Sequence, residues 1–172
     1  MAEEIVNRVA KSPLISLDLS EYYQAGERVV FDLAPHLFQG LVLREKDFRQ
    51  MVKETDWSEY AGKCVAITCS VDAIVPTWAY MLLTAVMEPH ARIVVFGSLE
   101  TLETVLFHEA LDTINVEDFR DAMVVVKGCS DVPVPESAYV ELSRRLRPVV
   151  KSLMFGEPCS TVPIYKKKRE RA

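Results

Sequence analysis

The sequence predicts an α/β fold: a mainly parallel open sheet flanked by helices. Short apolar and β-branched runs alternate with longer segments of helical periodicity from residue 63 onward, which is typical of βαβ units. Two of the predicted helices open with a proline, at a position where its missing N–H leaves no hydrogen bond unmade. A Cys-Ser pair followed by Val-Pro and Ala-Tyr occurs twice, and its two cysteines, Cys69 and Cys129, are 60 residues apart, so the pattern repeats.

The N-terminal third predicts two strands and a helix. Residues 3–10 suit one or two amphipathic turns, and 14–19 alternates with the period of two that half-buried strands show. A second strand is predicted over 28–33. We expect these strands to pair as an antiparallel hairpin at the edge of the sheet. A helix follows over 43–55, and its apolar stripe consists of Leu43, Phe48, Met51 and Val52.

The remaining elements alternate regularly. Further strands are predicted over 63–69, 92–96, 123–127 and 162–165, and further helices over 76–88, 99–111 and 135–154. The last helix contains Pro148, where a kink or break is expected. A single α/β domain over residues 1–165 accounts for this pattern without a second domain. Residues 166–172 are rich in lysine and arginine, and we expect a disordered basic tail because like charges repel.

Charge and hydropathy exclude several classes of protein. The net charge of -5 argues against nucleic-acid binding, which usually requires a broad basic face. The longest apolar run, over 79–87, is too short to span a bilayer, and the N-terminus lacks the pattern of a signal peptide. We therefore expect a cytoplasmic protein with no membrane partner. Its cysteines would stay reduced and would serve metal binding or catalysis rather than disulfides.

Motifs of the common enzyme classes are absent from the sequence. There is no glycine-rich dinucleotide or phosphate loop, no HExxH zinc motif and no GxSxG nucleophile motif. The cysteine spacings match neither a zinc finger nor a CxxC pair. Nucleotide chemistry is unsupported, and an enzymatic activity has no specific signal.

Three cysteines that each precede a serine form the candidate site. Cys69 and Cys129 follow predicted strands, at the end of the sheet where open α/β folds bind ligands, and Cys159 belongs to a contracted third copy of the pattern. Soft thiolates select zinc or iron–sulfur species. A closed zinc site needs a fourth ligand, for which Asp72 and Asp131 are best placed, although each also suits a helix N-cap or a turn.

Other interpretations of the cysteines stay open. Cys64 is expected in the core, and the other three could also be buried structural residues. Cys69 and Cys129 are neighbours only if strand 92–96 lies to one side of both. An unbroken helix over 135–154 would carry Cys159 to the far end of the sheet. A catalytic thiol is a third alternative, but the sequence places no base beside one.

Several longer stretches resemble a known family. The segments 73–80, 127–130, 144–151 and 156–163 are similar to the bacterial domain-of-unknown-function family two-four-eight-zero, and the similarity extends over the whole chain. The resemblance implies gene neighbourhoods shared with iron–sulfur cluster assembly, and hence assembly proteins as partners. It supplies no catalytic residues.

Two functional hypotheses follow from the sequence. In the first, Cys69, Cys129 and Cys159 bind zinc or an iron–sulfur species, and the protein is an accessory in cluster assembly or metal handling without turnover chemistry. In the second, the chain is a metal-free, homodimeric protein–protein interaction module. The second would use exposed aromatic residues together with the arginine-rich helix, and those aromatic residues are Tyr22, Tyr23 and Trp57.

Overall fold

The structure is a computed structural model that describes residues 14–128, 131–157 and 160–168. Within them the strands are β1 (Leu14–Leu17), β2 (Arg28–Asp32), β3 (Cys64–Thr68), β4 (Ile93–Phe96), β5 (Met123–Val126), β6 (Ser152–Glu157) and β7 (Ser160–Lys166). The α-helices are α1 (Glu45–Glu54), α2 (Thr77–Met87), α3 (Leu99–Asp112) and α4 (Glu136–Leu146). Short 3₁₀ helices cover Leu19–Tyr22, Ala34–His36, Trp57–Tyr60 and Val116–Phe119. The α/β class and the mainly parallel pairing are confirmed.

The chain divides into two compact units. The inserted unit is Gln24–Leu106, and the flanking unit comprises the chain up to Tyr23 and from Phe107 onward. The single domain over 1–165 stays a prediction.

The inserted unit is a three-stranded parallel sheet, in the order β2-β3-β4, with helices on both faces. Successive side chains of a strand point to opposite faces, so β3 supplies two cores. Val65 and Ile67 pack with α1 and α2 in one core. Cys64 and Ala66 pack in the other core, against Leu102 and Leu106 of α3 and other residues. Cys64 is therefore a core residue, as expected.

The flanking unit is a four-stranded sheet in the order β1-β5-β6-β7. β1, β5 and β6 are parallel, and β7 is antiparallel to β6. Val124 and Val126 of β5 pack against Leu142 of α4 and against Phe107 and Leu111 of α3. Helix α3 thus supplies its first half to the core of the inserted unit and its second half to that of the flanking unit.

The two units repeat one structure at a constant spacing of 59 residues. Cys64 pairs with Ile93 in one sheet as Met123 pairs with Ser152 in the other. Helix α2 and helix α4 keep the same spacing at both ends, as do the 3₁₀ helices Trp57–Tyr60 and Val116–Phe119. The Val-Pro and Ala-Tyr motifs share it. The Cys-Ser pairs do not, since they lie 60 residues apart, so Gly128 rather than Cys129 corresponds to Cys69.

The expected pairing of the first two strands differs from the observed one. β1 pairs with β5 and β2 with β3, both in parallel, and each opens the sheet of its own unit. The segment between them forms a 3₁₀ helix, Leu19–Tyr22, in which Leu19 is buried in the core, so it is no hairpin loop. Among the strands that the structure describes, β6 and β7 form the antiparallel pair.

The prediction of one long helix over 135–154 is wrong. Helix α4 ends at Leu146, and Ser152–Glu157 forms β6. Pro148 has no N–H to donate, and its ring clashes with the carbonyl one turn earlier, so it stops the helix. This shortening returns the chain to the sheet beside β5, because β6 pairs with β5 in parallel.

The other predicted elements are confirmed to within two residues at each end. They are the strands over 14–19, 28–33, 63–69, 92–96, 123–127 and 162–165 and the helices over 43–55, 76–88 and 99–111. The turns predicted over 3–10 lie outside the described residues. β7 continues to Lys166, one residue into the predicted tail. None of the helices that the structure describes has the length and apolar composition of a membrane span.

Candidate functional site

Cys69 lies directly after β3, at the carboxyl end of the inserted unit's sheet. Its side chain is half-buried, and its Sγ donates a weak hydrogen bond to the Val71 carbonyl at 3.4 Å. Burial raises the pKa of the Tyr80 hydroxyl, and the charge of Cys69 adds to that rise. Both side chains pack against the core of the inserted unit. The structure places this thiol directly after a strand, as predicted; its role as a ligand stays a prediction.

Asp32 ties the ends of β2 and β3 together. Its carboxylate accepts hydrogen bonds from the Ala34 N–H at 2.9 Å and from the backbone N–H and hydroxyl of Ser70 at 2.9 and 2.5 Å. These bonds, the Ser70 hydroxyl first, hold the pKa of Asp32 below its ordinary value. The serine of the Cys69-Ser70 pair thus links the ends of β2 and β3 through its hydrogen bonds to Asp32.

Asp18 occupies the same place at the end of β1. It accepts hydrogen bonds from the Ser20 N–H at 2.9 Å and the Ser20 hydroxyl at 2.6 Å, and it forms an ion pair with Lys127 at 3.1 Å. The Ser20 bonds are the main cause of its lowered pKa. Sequence reasoning missed both aspartates, although a strand that ends in Asp-Leu occurs twice, at Asp18 and Asp32.

His36 follows β2 in the 3₁₀ helix Ala34–His36 and stacks on Phe31, with ring centroids 5.5 Å apart. Burial lowers its pKa, and the charge of Asp32 opposes that shift. The imidazole is therefore neutral near pH 7, the form that binds metals. The sequence did not place this histidine, because the loop around it has no periodicity.

The five predicted ligands are only partly described. Cys129 and Cys159 lie outside the described residues, and Asp72 and Asp131 have exposed side chains. Neither aspartate is a helix N-cap, because Pro76 and Pro135 take those positions. Among residues 14–128, 131–157 and 160–168, no three His, Cys, Asp or Glu side chains are grouped as a metal site would need.

Strand order changes the sequence argument about the cysteines. β3 and β5 belong to different sheets, so Cys69 and Cys129 do not follow adjacent strands. The position of strand 92–96, on which the sequence argument depended, therefore does not decide whether they are neighbours. β5 and β6 are adjacent and parallel, with Val126 opposite Phe155. The carboxyl ends of β5 and β6, which precede Cys129 and Cys159 in the sequence, therefore lie at the same end of one sheet.

An apolar trough lies between α4 and the β6-β7 edge of the flanking unit. Its volume is about 440 Å³, and its floor is the ring of Phe155, which meets the ring of Tyr139 edge-on with centroids 5.8 Å apart. Gly128 makes room for this floor, because a Cβ there would lie 2.7 Å from the Phe155 ring. The opposite walls carry the exposed side chains of Val140 and Ile164.

Arg144 of α4 and Arg147, the residue after this helix, line a second cavity that shares Val140, Ser143, Leu153 and Ile164 with this trough. Glu141 accepts two hydrogen bonds from Arg144, at 2.8 and 2.5 Å, and one from Arg145 at 2.6 Å. These guanidinium groups lower the pKa of Glu141 to about 2. Arg147 instead lies over the ring of Tyr165, 5.2 Å from its centroid. The predicted arginine-rich face is thus partly neutralised by Glu141 within its own helix.

A family model described as "Protein of unknown function (DUF2480)" matches residues 3–167. The chain belongs to this family. The resemblance predicted from the sequence is confirmed. Comparisons with curated proteins and with solved structures gave no match.

The aromatic residues named for the interaction hypothesis are not the exposed ones in this DUF2480 chain. Trp57 is buried, its indole N–H donating to the Val52 carbonyl at 2.9 Å, and Tyr22 and Tyr23 pack against the core of the flanking unit. The exposed large apolar side chains of the inserted unit include instead Ile74, 74% exposed, and Phe96 and Met81, each 68% exposed.

Proposed function

We propose that the protein binds zinc or an iron–sulfur species through cysteines that follow the strands, and that it serves as a cytoplasmic accessory in cluster assembly or metal handling. It would carry out no turnover chemistry of its own. Its partners would be iron–sulfur assembly proteins, as the family's implied gene neighbourhoods suggest.

One observation carries the proposal: β6 pairs with β5 in parallel, so the carboxyl ends of both strands lie at the same end of the sheet. Cys129 follows β5 by three residues and Cys159 follows β6 by two. The objection that a long helix removes Cys159 from this edge no longer applies, since α4 ends at Leu146. Two thiols, the soft ligands that zinc and iron–sulfur species prefer, would therefore come from adjacent chain segments.

The role of Cys69 is separable from that pair. It follows β3 in the inserted unit, at a turn related to Gly128 by the 59-residue repeat. If it is a third ligand, its removal lowers metal content as much as removal of Cys129 or Cys159. If the site belongs to the flanking unit alone, Asp131 is the candidate oxygen ligand there, and Asp72 serves the same function only in a site that includes Cys69.

The test is a series of single cysteine variants analysed for bound metal after purification without oxygen and without a metal-affinity tag. We expect Cys129→Ser and Cys159→Ser each to lower zinc or iron content at least severalfold at equal folded protein. Cys64→Ala is the matched control, because Cys64 is fully buried in the core of the inserted unit. Unchanged metal content in the Cys129 and Cys159 variants would sink the proposal.

A metal-free homodimer is the second candidate. It is supported by the exposed ring of Phe96, which Tyr80 holds edge-on at a centroid distance of 5.0 Å, and by the exposed Met81. Aromatic and methionine side chains are enriched in protein interfaces. Sedimentation velocity should then show a dimer that Phe96→Asp converts to monomer, and a concentration-independent monomer for the unaltered chain counts against it.

A further inference from the structure

We propose that the trough between α4 and the β6-β7 edge binds a medium-chain fatty acyl carboxylate, with the carboxylate at Arg147 and the chain lying towards Phe155. This inference is independent of the metal proposal, since it uses no cysteine. It assigns a ligand of stated chemistry to the apolar trough of the flanking unit.

The trough is long rather than round. The cavity of about 440 Å³ over Phe155 continues into a second one of about 350 Å³, since the two share the lining residues Val140, Ser143, Leu153 and Ile164. Lining residues of α4 and of its C-cap extend from Glu136 to Arg147. At 1.5 Å per residue this spans about 16 Å, which suits an extended chain of medium length.

The lining is apolar where a chain would lie. Side chains of β6 form the floor and those of α4 and β7 the walls, and Tyr139 and Ser143 contribute hydroxyl groups to the lining. Cavities that bind small molecules combine such a lining with a few polar groups that fix orientation. Val140 is 69% exposed, so a ligand would remove from water a side chain that the protein's own described residues leave uncovered.

The charges of α4 decide which end holds the head group. Arg144 is bound bidentately by Glu141, which also binds Arg145. Arg147 forms no ion pair with a carboxylate among residues 14–128, 131–157 and 160–168, and it contacts the Tyr165 ring beside the second cavity. The cation left for a ligand anion is therefore at one end. At the other end stands Glu136, which would repel an anion.

The internal repeat supplies a matched control. Met81 corresponds to Val140 at the 59-residue spacing and is equally exposed, 68% against 69%. The inserted unit's sheet ends at β4, whereas β7 extends the flanking unit's sheet beyond β6 and adds the Ile164 wall. A carboxylate placed at Met81 should thus leave acyl binding unchanged, while one placed at Val140 should block it.

The experiment is isothermal titration calorimetry of the full chain with octanoate, decanoate and dodecanoate, each below its micelle concentration. We expect one saturable site, with affinity rising roughly tenfold for every two methylenes added. Val140→Asp should weaken dodecanoate binding at least tenfold, and Met81→Asp should change it less than twofold. Both positions are exposed, so both variants are expected to fold.

Dodecanol, the neutral analogue, tests the role of Arg147. Exposed ion pairs are weak, so dodecanoate should bind about two- to fivefold more tightly than dodecanol at low salt. Arg147→Gln should remove that difference without altering dodecanol binding, whereas Arg144→Gln should preserve it. Equal affinities of the two ligands for the unaltered chain would overturn the assignment of the anion.

Two further results would overturn the proposal as a whole. One is the absence of saturable binding of any of the three carboxylates. The other is a self-association in sedimentation velocity that Val140→Asp abolishes while dodecanoate does not compete, which would give the trough to a second copy of the chain. Loss of metal from the cysteine variants changes neither outcome, so the two proposals fail separately.

Discussion

Equivalent leucines of the two repeats test whether the chain unfolds as one domain. Leu83 of α2 and Leu142 of α4 are both fully buried, each in the core of its own unit. Truncation of a buried leucine removes transfer free energy and leaves a cavity, at a cost of about 2–5 kcal/mol. We therefore expect Leu83→Ala and Leu142→Ala each to lower the free energy of unfolding by about 3 kcal/mol.

Helix α3 provides the reason to expect a single transition. Its Leu102 and Leu106 pack in the inserted unit, and its Phe107 and Leu111 pack in the flanking unit. A helix of this length is marginal without tertiary contacts, so loss of either core removes support from the half that the other core needs. Unfolding of one unit should accordingly carry the other with it.

Two probes distinguish the units during urea unfolding. Both tryptophans, Trp57 and Trp78, belong to the inserted unit, so their fluorescence reports that unit alone. Circular dichroism reports the helices of both. We expect the two probes to give one coincident transition, shifted by the same amount in the Leu83 and the Leu142 variants.

The matched controls are Met81→Ala and Val140→Ala, which lie in the same helices on their exposed faces. Each should change stability by no more than about 0.5 kcal/mol. Two separate transitions, with the Leu142 variant shifting circular dichroism but not fluorescence, would refute the reasoning and divide the chain into two domains.

Three further substitutions address single features. Asp32→Asn should cost about 1 kcal/mol at pH 7, because it weakens the clamp on Ser70. The pKa of Asp32 is lowered by folding, so that stability is present above its ordinary value of 3.8 and is lost as the pH falls through the lower folded value; urea midpoints against pH check this. Glu141→Gln should lower the melting temperature at pH 7. As the pH falls from 4.5 to about 2, the ordinary and the folded pKa of Glu141, the melting temperatures of the variant and the unaltered chain should converge. An NMR titration should find the Glu141 midpoint near the lower value. Gly156→Ala should destabilise by more than 1 kcal/mol in thermal unfolding, since its φ is +117° and a Cβ would lie 2.6 Å from the Ser160 carbonyl oxygen, and an unchanged melting temperature would contradict that geometry.

Local periodicity predicted most elements but not their partners. The alternation in β1 marks a strand, yet its partner β5 begins more than 100 residues later, and nothing local specifies that pairing. The predicted hairpin therefore followed from nearness in sequence. In α4 the helical spacing of Leu142 and Leu146 continues by coincidence to Leu153, and Pro148 was the stronger signal.

The candidate sites divide in the same way. The Cys-Ser turns can be recognised in the sequence because the pattern around them occurs twice. Their 60-residue spacing nevertheless departs by one residue from the 59-residue repeat of the backbone. The aspartate clamps have a weak signal in the repeated Asp-Leu. The apolar trough between α4 and the β6-β7 edge has none, because it exists only where β7 returns beside β6 and extends the sheet.

The most direct test of the metal proposal is the elemental composition of the unaltered chain, purified without oxygen and without a metal-affinity tag, together with its absorption spectrum. We predict about one zinc per chain, or iron with sulfide and visible charge-transfer bands. A colourless protein that contains neither metal, and that takes up neither zinc nor ferrous iron when they are added, would contradict it.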